Sequence, residues 1–118
     1  MIKLKRVYDP PAAGDGRRFL VERLWPRGMK KESLLMEEWL KNVAPSTTLR
    51  QWFGHDLDKW EEFRLRYEEE LTDNAPAVEA LLGAARTGTV TLLYSAHDQT
   101  HNSALVLQAY LEKCLQMS

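Results

Sequence analysis

A chain of 118 residues with 44% hydrophobic and 28% charged side chains fits one ordinary globular domain, large enough to fold without disulfide or metal staples. Its single cysteine, Cys114, excludes an intrachain disulfide scaffold. The start Met1-Ile2-Lys3-Leu4-Lys5-Arg6 has no signal-peptide pattern and no stretch resembles a membrane span, so a cytoplasmic location without membrane attachment is expected.

The net charge of −1 hides an asymmetry. Residues 1–31 carry nine basic side chains against three acids, and the remainder carries seven against fourteen. A basic N-terminal third could attract an anion or a nucleic acid. Mutual neutralisation within the fold is the simpler expectation for most of these charges.

Ile2 to Tyr8 alternates apolar and basic residues and reads as a strand. Asp9-Pro10-Pro11 through Gly16 reads as a loop. Arg18 to Trp25 reads as a second strand stopped by Pro26-Arg27-Gly28. A short helical pattern with Leu35, Trp39 and Leu40 follows and ends at Pro45. Ser46 is placed to cap a short helix through Trp52 and Phe53, which Gly54 terminates. Asp58 and Glu61 have capping-box spacing before a helix with the stripe Trp60, Phe63, Tyr67 and Leu71.

Pro76 suits the first turn of the next helix, whose apolar face is Val78, Leu81, Leu82 and Ala85 and which Gly88 ends. Val90 to Tyr94 reads as a strand buried on both faces. A loop, His97 to Thr100, leads into a last helix carrying Ala104, Leu107, Leu111 and Leu115. Cys114 is expected to be packed there rather than reactive. The order predicts a single α/β domain over residues 1–118. It is a small three-layer fold with a short, at least partly parallel sheet flanked by helices, and an α+β arrangement is the alternative.

Four segments together carry a family resemblance. They are Arg6-Val7-Tyr8-Asp9, then Arg23-Leu24-Trp25-Pro26-Arg27-Gly28, then Ala44-Pro45-Ser46 through Leu49-Arg50-Gln51-Trp52-Phe53-Gly54-His55-Asp56, and Leu92-Leu93-Tyr94-Ser95-Ala96 through His101-Asn102. The set resembles the YeaO-like branch of the domain-of-unknown-function family 488, over nearly the whole chain. The resemblance implies a family named for lacking an assigned function. Longer relatives in the wider family carry cysteines just after the last strand and in the following turn. The aligned positions here are Tyr94 and Asn102, which speaks against thiol chemistry.

The residues themselves suggest one site. Alternation would put Arg23 and Trp25 on one face of a strand, with Arg27 following at its carboxyl end. Ligands of open α/β sheets sit at that edge. If the last strand is parallel, the turn His97 to Asn102 opens there too, and its backbone N–H groups would favour an anion. Guanidinium groups suit phosphate or carboxylate, Lys30 or Arg50 could add charge, and Trp25 or Trp52 could form an aromatic wall. The structural alternative pairs Arg23 with Asp9 or Glu22 and places both tryptophans in the core.

His97 and His101 are four apart and His55 adjoins Asp56, but no CxxC or HExxH motif supports a metal, and neither metal nor cofactor is expected. His101 and Asp98 are the candidate proton carriers if a reaction occurs. Ser95 lacks the Gly-x-Ser-x-Gly setting of a nucleophile elbow.

The expected function is binding, with conversion left open, of a small phosphate- or carboxylate-bearing ligand at the carboxyl edge of the sheet. Arg23, Trp25, Arg27, Arg50, His55 and Asn102 are the expected contacts. The alternative is a nucleic-acid-binding or protein-interaction module without catalysis. A sequence pI near 6.3 and the lack of a known nucleic-acid motif weigh against nucleic acid. Monomer and homodimer both stay open.

Overall fold

The computed structural model describes residues 1–117. Four strands, β1 (Ile2–Arg6), β2 (Arg17–Leu20), β3 (Glu38–Trp39) and β4 (Val90–Tyr94), form one sheet in the order β1-β4-β2-β3. Every neighbouring pair is parallel. Central β4 is buried along its whole length, as its unbroken Val-Thr-Leu-Leu-Tyr run requires.

Alternation divides the sheet. Ile2, Phe19, Val90, Leu92 and Tyr94 face the main core. That core also takes Leu49 and Phe53 of α1 (Thr47–Phe53), Phe63, Tyr67 and Leu71 of α2 (Trp60–Thr72), Val78, Leu81 and Leu82 of α3 (Ala75–Thr87), and Ala104, Leu107 and Leu111 of α4 (Ser103–Gln116). The other face carries a smaller cluster of Val7, Leu20, Leu34 and Leu93, covered by Trp25, Met29, Met36 and Trp39. Helices therefore pack on one face, and loops with 3₁₀ turns form the covering of the other.

The helix punctuation has clear causes. Ser46 Oγ accepts the Leu49 backbone N–H, and Gly54 ends α1 in the left-handed region. Pro76 lies in the first turn of α3 and Gly88 follows its last residue. Asn102 caps α4, its side-chain oxygen accepting the Leu105 N–H. Gly16 is compulsory between the loop and β2. Its φ is 64°, and a Cβ there would lie 2.2 Å from the Thr89 carbonyl oxygen.

Three local expectations are corrected. The stretch with Leu35, Trp39 and Leu40 is not helical; it holds the two-residue edge strand β3 between 3₁₀ turns. β3 pairs with β2, and the flanking Glu37 and Leu40 N–H groups reach the Arg18 and Leu20 carbonyls. Asp58 does not cap α2: Asp56 instead accepts the Asp58 N–H and opens a 3₁₀ turn that runs into the helix. The second strand ends at Leu20 rather than Trp25, so strand alternation does not govern Arg23 and Trp25.

The basic N-terminal third is partly neutralised internally. Asp15, only 3% exposed, accepts hydrogen bonds from Lys5, Arg18 and the Ala12 backbone N–H. Together these outweigh desolvation and hold its carboxyl down to about 2, the Lys5 hydrogen bond contributing most. Arg17 pairs with Glu37 at the surface. No helix among the described residues is long and apolar enough to cross a membrane.

Candidate functional site

The carboxyl ends of β1, β4 and β2 converge on a cleft of about 1110 Å³. This is where a parallel sheet places its ligand crevice, because strand ends and following loops open together there. Arg6 and Tyr94 stand opposite each other as the last residues of β1 and β4. Glu22 and Arg23 follow β2, Arg50 and Phe53 come from α1, and the turn before α4 closes the far side. All three histidines of the chain, His55, His97 and His101, line this cleft.

Four guanidinium groups, from Arg6, Arg23, Arg27 and Arg50, line the cleft against two carboxylates, Glu22 and Asp98. None of the four pairs with a carboxylate among the described residues. Arg6 instead donates to the Ala96 and Ser95 carbonyls at 2.9 and 3.2 Å, and stacks over Tyr8. Arg23 donates to the Ala44 and Pro45 carbonyls at 3.0 and 3.3 Å, tying β2's exit to the start of α1. The side chains of half-buried Arg50 and exposed Arg27 have no hydrogen-bond partner among the described residues.

The acids are held differently. Glu22 Oε1 accepts the Ser95 N–H at 2.6 Å and the Ser95 hydroxyl at 2.8 Å, joining the ends of β2 and β4. Asp98 Oδ1 accepts the Thr100 N–H, the Thr100 hydroxyl and the His101 N–H, at 2.9 to 3.0 Å. Hydrogen bonds from Thr100, then smaller contributions from His101, hold the Asp98 carboxyl below its usual range. Burial pushes the Tyr94 phenol up, so it stays a neutral hydroxyl.

The structure brings Arg23, Arg27, Arg50, His55, Asp98, His101 and Asn102 to one cleft. It does not bring Trp25 there. Trp25 packs edge-on against Trp39 beneath the opposite face, and its Nε1 donates to the Met29 carbonyl. Trp52 also lies elsewhere, with the Arg66 and Lys59 cations over its ring, and Lys30 is not among the lining residues. Arg23 is not paired with Asp9 or Glu22; its Nε and Nη2 donate instead to the Pro45 and Ala44 carbonyls.

The turn before α4 does not offer all its backbone donors to an anion: Asp98 already takes two of them. Asn102 is buried with its amide committed, donating to the Asp98 carbonyl and accepting from Leu105. His101 lies 3.2 Å from Asp98 Oδ2 and edge-on against Trp60. His55 has a φ of 61°, a left-handed conformation uncommon outside glycine, at the mouth of the cleft. No group of three or more His, Cys, Asp or Glu side chains suited to a metal ion occurs among the described residues.

Sequence reasoning missed Arg6 and Glu22 as cleft residues. Arg6 had a usable signal, since it ends an edge strand whose carboxyl end the family motif includes. Glu22 had none, because its partner Ser95 is 73 residues away.

Fold and cleft together define a small parallel α/β protein with an arginine-lined crevice at the carboxyl edge of its sheet. The family described as the inactive DUF488-N3 subclade matches residues 1–118, and the chain belongs to it. It is 46% identical over 110 residues to the uncharacterized protein YeaO of Escherichia coli K12, covering 93% of this chain and 96% of YeaO. It is 35% identical over 107 residues to the uncharacterized proteins Rv3073c of Mycobacterium tuberculosis H37Rv and Mb3100c of Mycobacterium bovis, covering 91% of each chain. The YeaO-like resemblance read from the motifs is thereby established. No solved structure matches the chain significantly.

Proposed function

We propose that the cleft binds a small phosphate- or carboxylate-bearing molecule of the cytoplasm. The observation that carries this reading is the cluster of four guanidinium groups in one cleft, none of them paired with a carboxylate among the described residues. Cations left without a carboxylate partner in a concave site raise the local concentration of anions and bind them by charge-assisted hydrogen bonds. A single cysteine, Cys114, gives the chain no intrachain disulfide, which accords with a reducing compartment.

Binding has more support than turnover. Asp98 is spent on organising the turn, and His101 is held between Asp98 and Trp60, so neither carboxylate oxygen is a ready base. The family's description as inactive points the same way.

The test is a thermal-shift series with inorganic phosphate, small carboxylates and phosphate monoesters at constant ionic strength. Arg50→Ala is the informative variant, because Arg50 holds no other part of the fold, whereas Arg23 anchors the Ala44 and Pro45 carbonyls. A ligand at ~100 times its dissociation constant stabilises the folded state by about 2.7 kcal/mol. Stabilisation by one anion class, lost in Arg50→Ala, is the expected result. No shift with any anion in a folded sample would overturn the reading.

A further inference from the structure

Glu22 is anomalous in this setting. It is half-buried in a cleft with four arginines, one of them its neighbour in sequence, yet it pairs with none of them. Its Oε1 is fixed by two donors from Ser95. Its Oε2 has no donor among the described residues. No buried side-chain polar atom there lacks a partner, so Oε2 is open to water rather than sealed in the core. Asp98 has no comparable freedom, since Oδ1 takes three donors and Oδ2 faces His101. Glu22 is therefore the one cleft carboxylate with an oxygen left for a ligand.

We propose that Glu22 selects a hydroxyl-bearing phosphate monoester, of the polyol or sugar phosphate class, over a bare oxyanion; this rests on the anion-binding reading above. An oxyanion without donors that displaces water from Glu22 Oε2 leaves that oxygen unsatisfied and is repelled by it. A hydroxyl on the ligand supplies the missing donor. An ammonium group would supply one too, but it would sit among four guanidinium groups that repel it. Four guanidinium groups against two carboxylates leave an excess of two positive charges in the cleft. A phosphate monoester, carrying about −1.5 to −2 near neutral pH, balances that excess better than a monocarboxylate. A cleft of about 1110 Å³ also has room for much more than one oxyanion.

The test is calorimetric titration with inorganic phosphate, propyl phosphate and glycerol phosphate. The last two have the same charge and chain length and differ in hydroxyl groups. Wild type, Glu22→Gln and Arg50→Ala are compared at constant ionic strength. Gln keeps a carbonyl for Ser95 but replaces the free oxygen with an amide donor.

Glycerol phosphate should bind wild type at least about tenfold more tightly than propyl phosphate, the scale of one hydrogen bond to a charged group. That preference should vanish in Glu22→Gln while propyl phosphate binding persists, and Arg50→Ala should weaken all three. Equal affinity of the two esters for wild type, a comparison independent of any variant, would overturn the selection by Glu22 and leave the anion site standing. No binding by any of the three would remove both.

Discussion

Two clusters of basic side chains flank the same sheet, and they are built in opposite ways. Lys5 and Arg18 project toward the loop-covered face and close on Asp15, with 20%, 6% and 4% of the respective side chains exposed. Arg6, Arg23, Arg27 and Arg50 gather at the carboxyl edge, and none of them pairs with a carboxylate among the described residues. A closed cluster fixes structure, because any unmatched charge left inside is costly. An open one is a standing electrostatic demand that a ligand can meet. The difference teaches that charge balance over the whole chain says little about function; what matters is which charges the fold leaves unmatched.

Substitutions should separate the two clusters cleanly. The largest effect is expected beside the closed one. Gly16→Ala drives a Cβ into the Thr89 carbonyl where β2 begins, and should lower the urea midpoint sharply or prevent folding. Asp15→Asn comes next. It strands the buried Arg18 guanidinium and should lower the melting temperature by several degrees.

The same cluster sets acid sensitivity. The folded-state pKa of Asp15 is lowered, so its stabilisation is complete above the ordinary value of 3.8 and is lost as pH falls toward about 2. Thermal unfolding in that window should show a steeper loss for wild type than for Asp15→Asn.

At the open edge the effects on stability shrink. Asn102→Ala removes the cap of α4 and the bond to the Asp98 carbonyl, and should cost about 1 kcal/mol by urea denaturation. Arg50→Ala should change unfolding free energy by no more than about 0.5 kcal/mol, while abolishing any anion-dependent stabilisation.

Much of the fold was legible because its signals are local. The apolar run of β4, the stripe Phe63, Tyr67 and Leu71, the Ser46 cap and the Gly54 stop all depend on residues within one or two turns. β3 was not legible: two residues carry no periodicity, and Leu35, Trp39 and Leu40 fit a helix equally well on spacing alone. Trp25 was misplaced because the strand ends at Leu20, where Val21 makes the last backbone bond to β4 and the chain leaves the sheet.

Arg23, Arg27 and Arg50 were legible as cleft residues, from the motif that follows the second strand and from the α1 motif, whereas Arg6 was not. Their company was not. Glu22 meets Ser95, and Arg6 meets Ala96, only through tertiary closure of β1, β2 and β4.

The most direct measurement is an NMR titration of the arginine side-chain Nε–H signals with a phosphate monoester at constant ionic strength. The cleft arginines, Arg50 foremost, should shift in a saturable manner, while Arg18, locked on Asp15, stays in place. Weak, unsaturable shifts shared with surface arginines such as Arg64 and Arg86, or no shift in the cleft, would contradict the claim that the fold holds these charges open for a ligand.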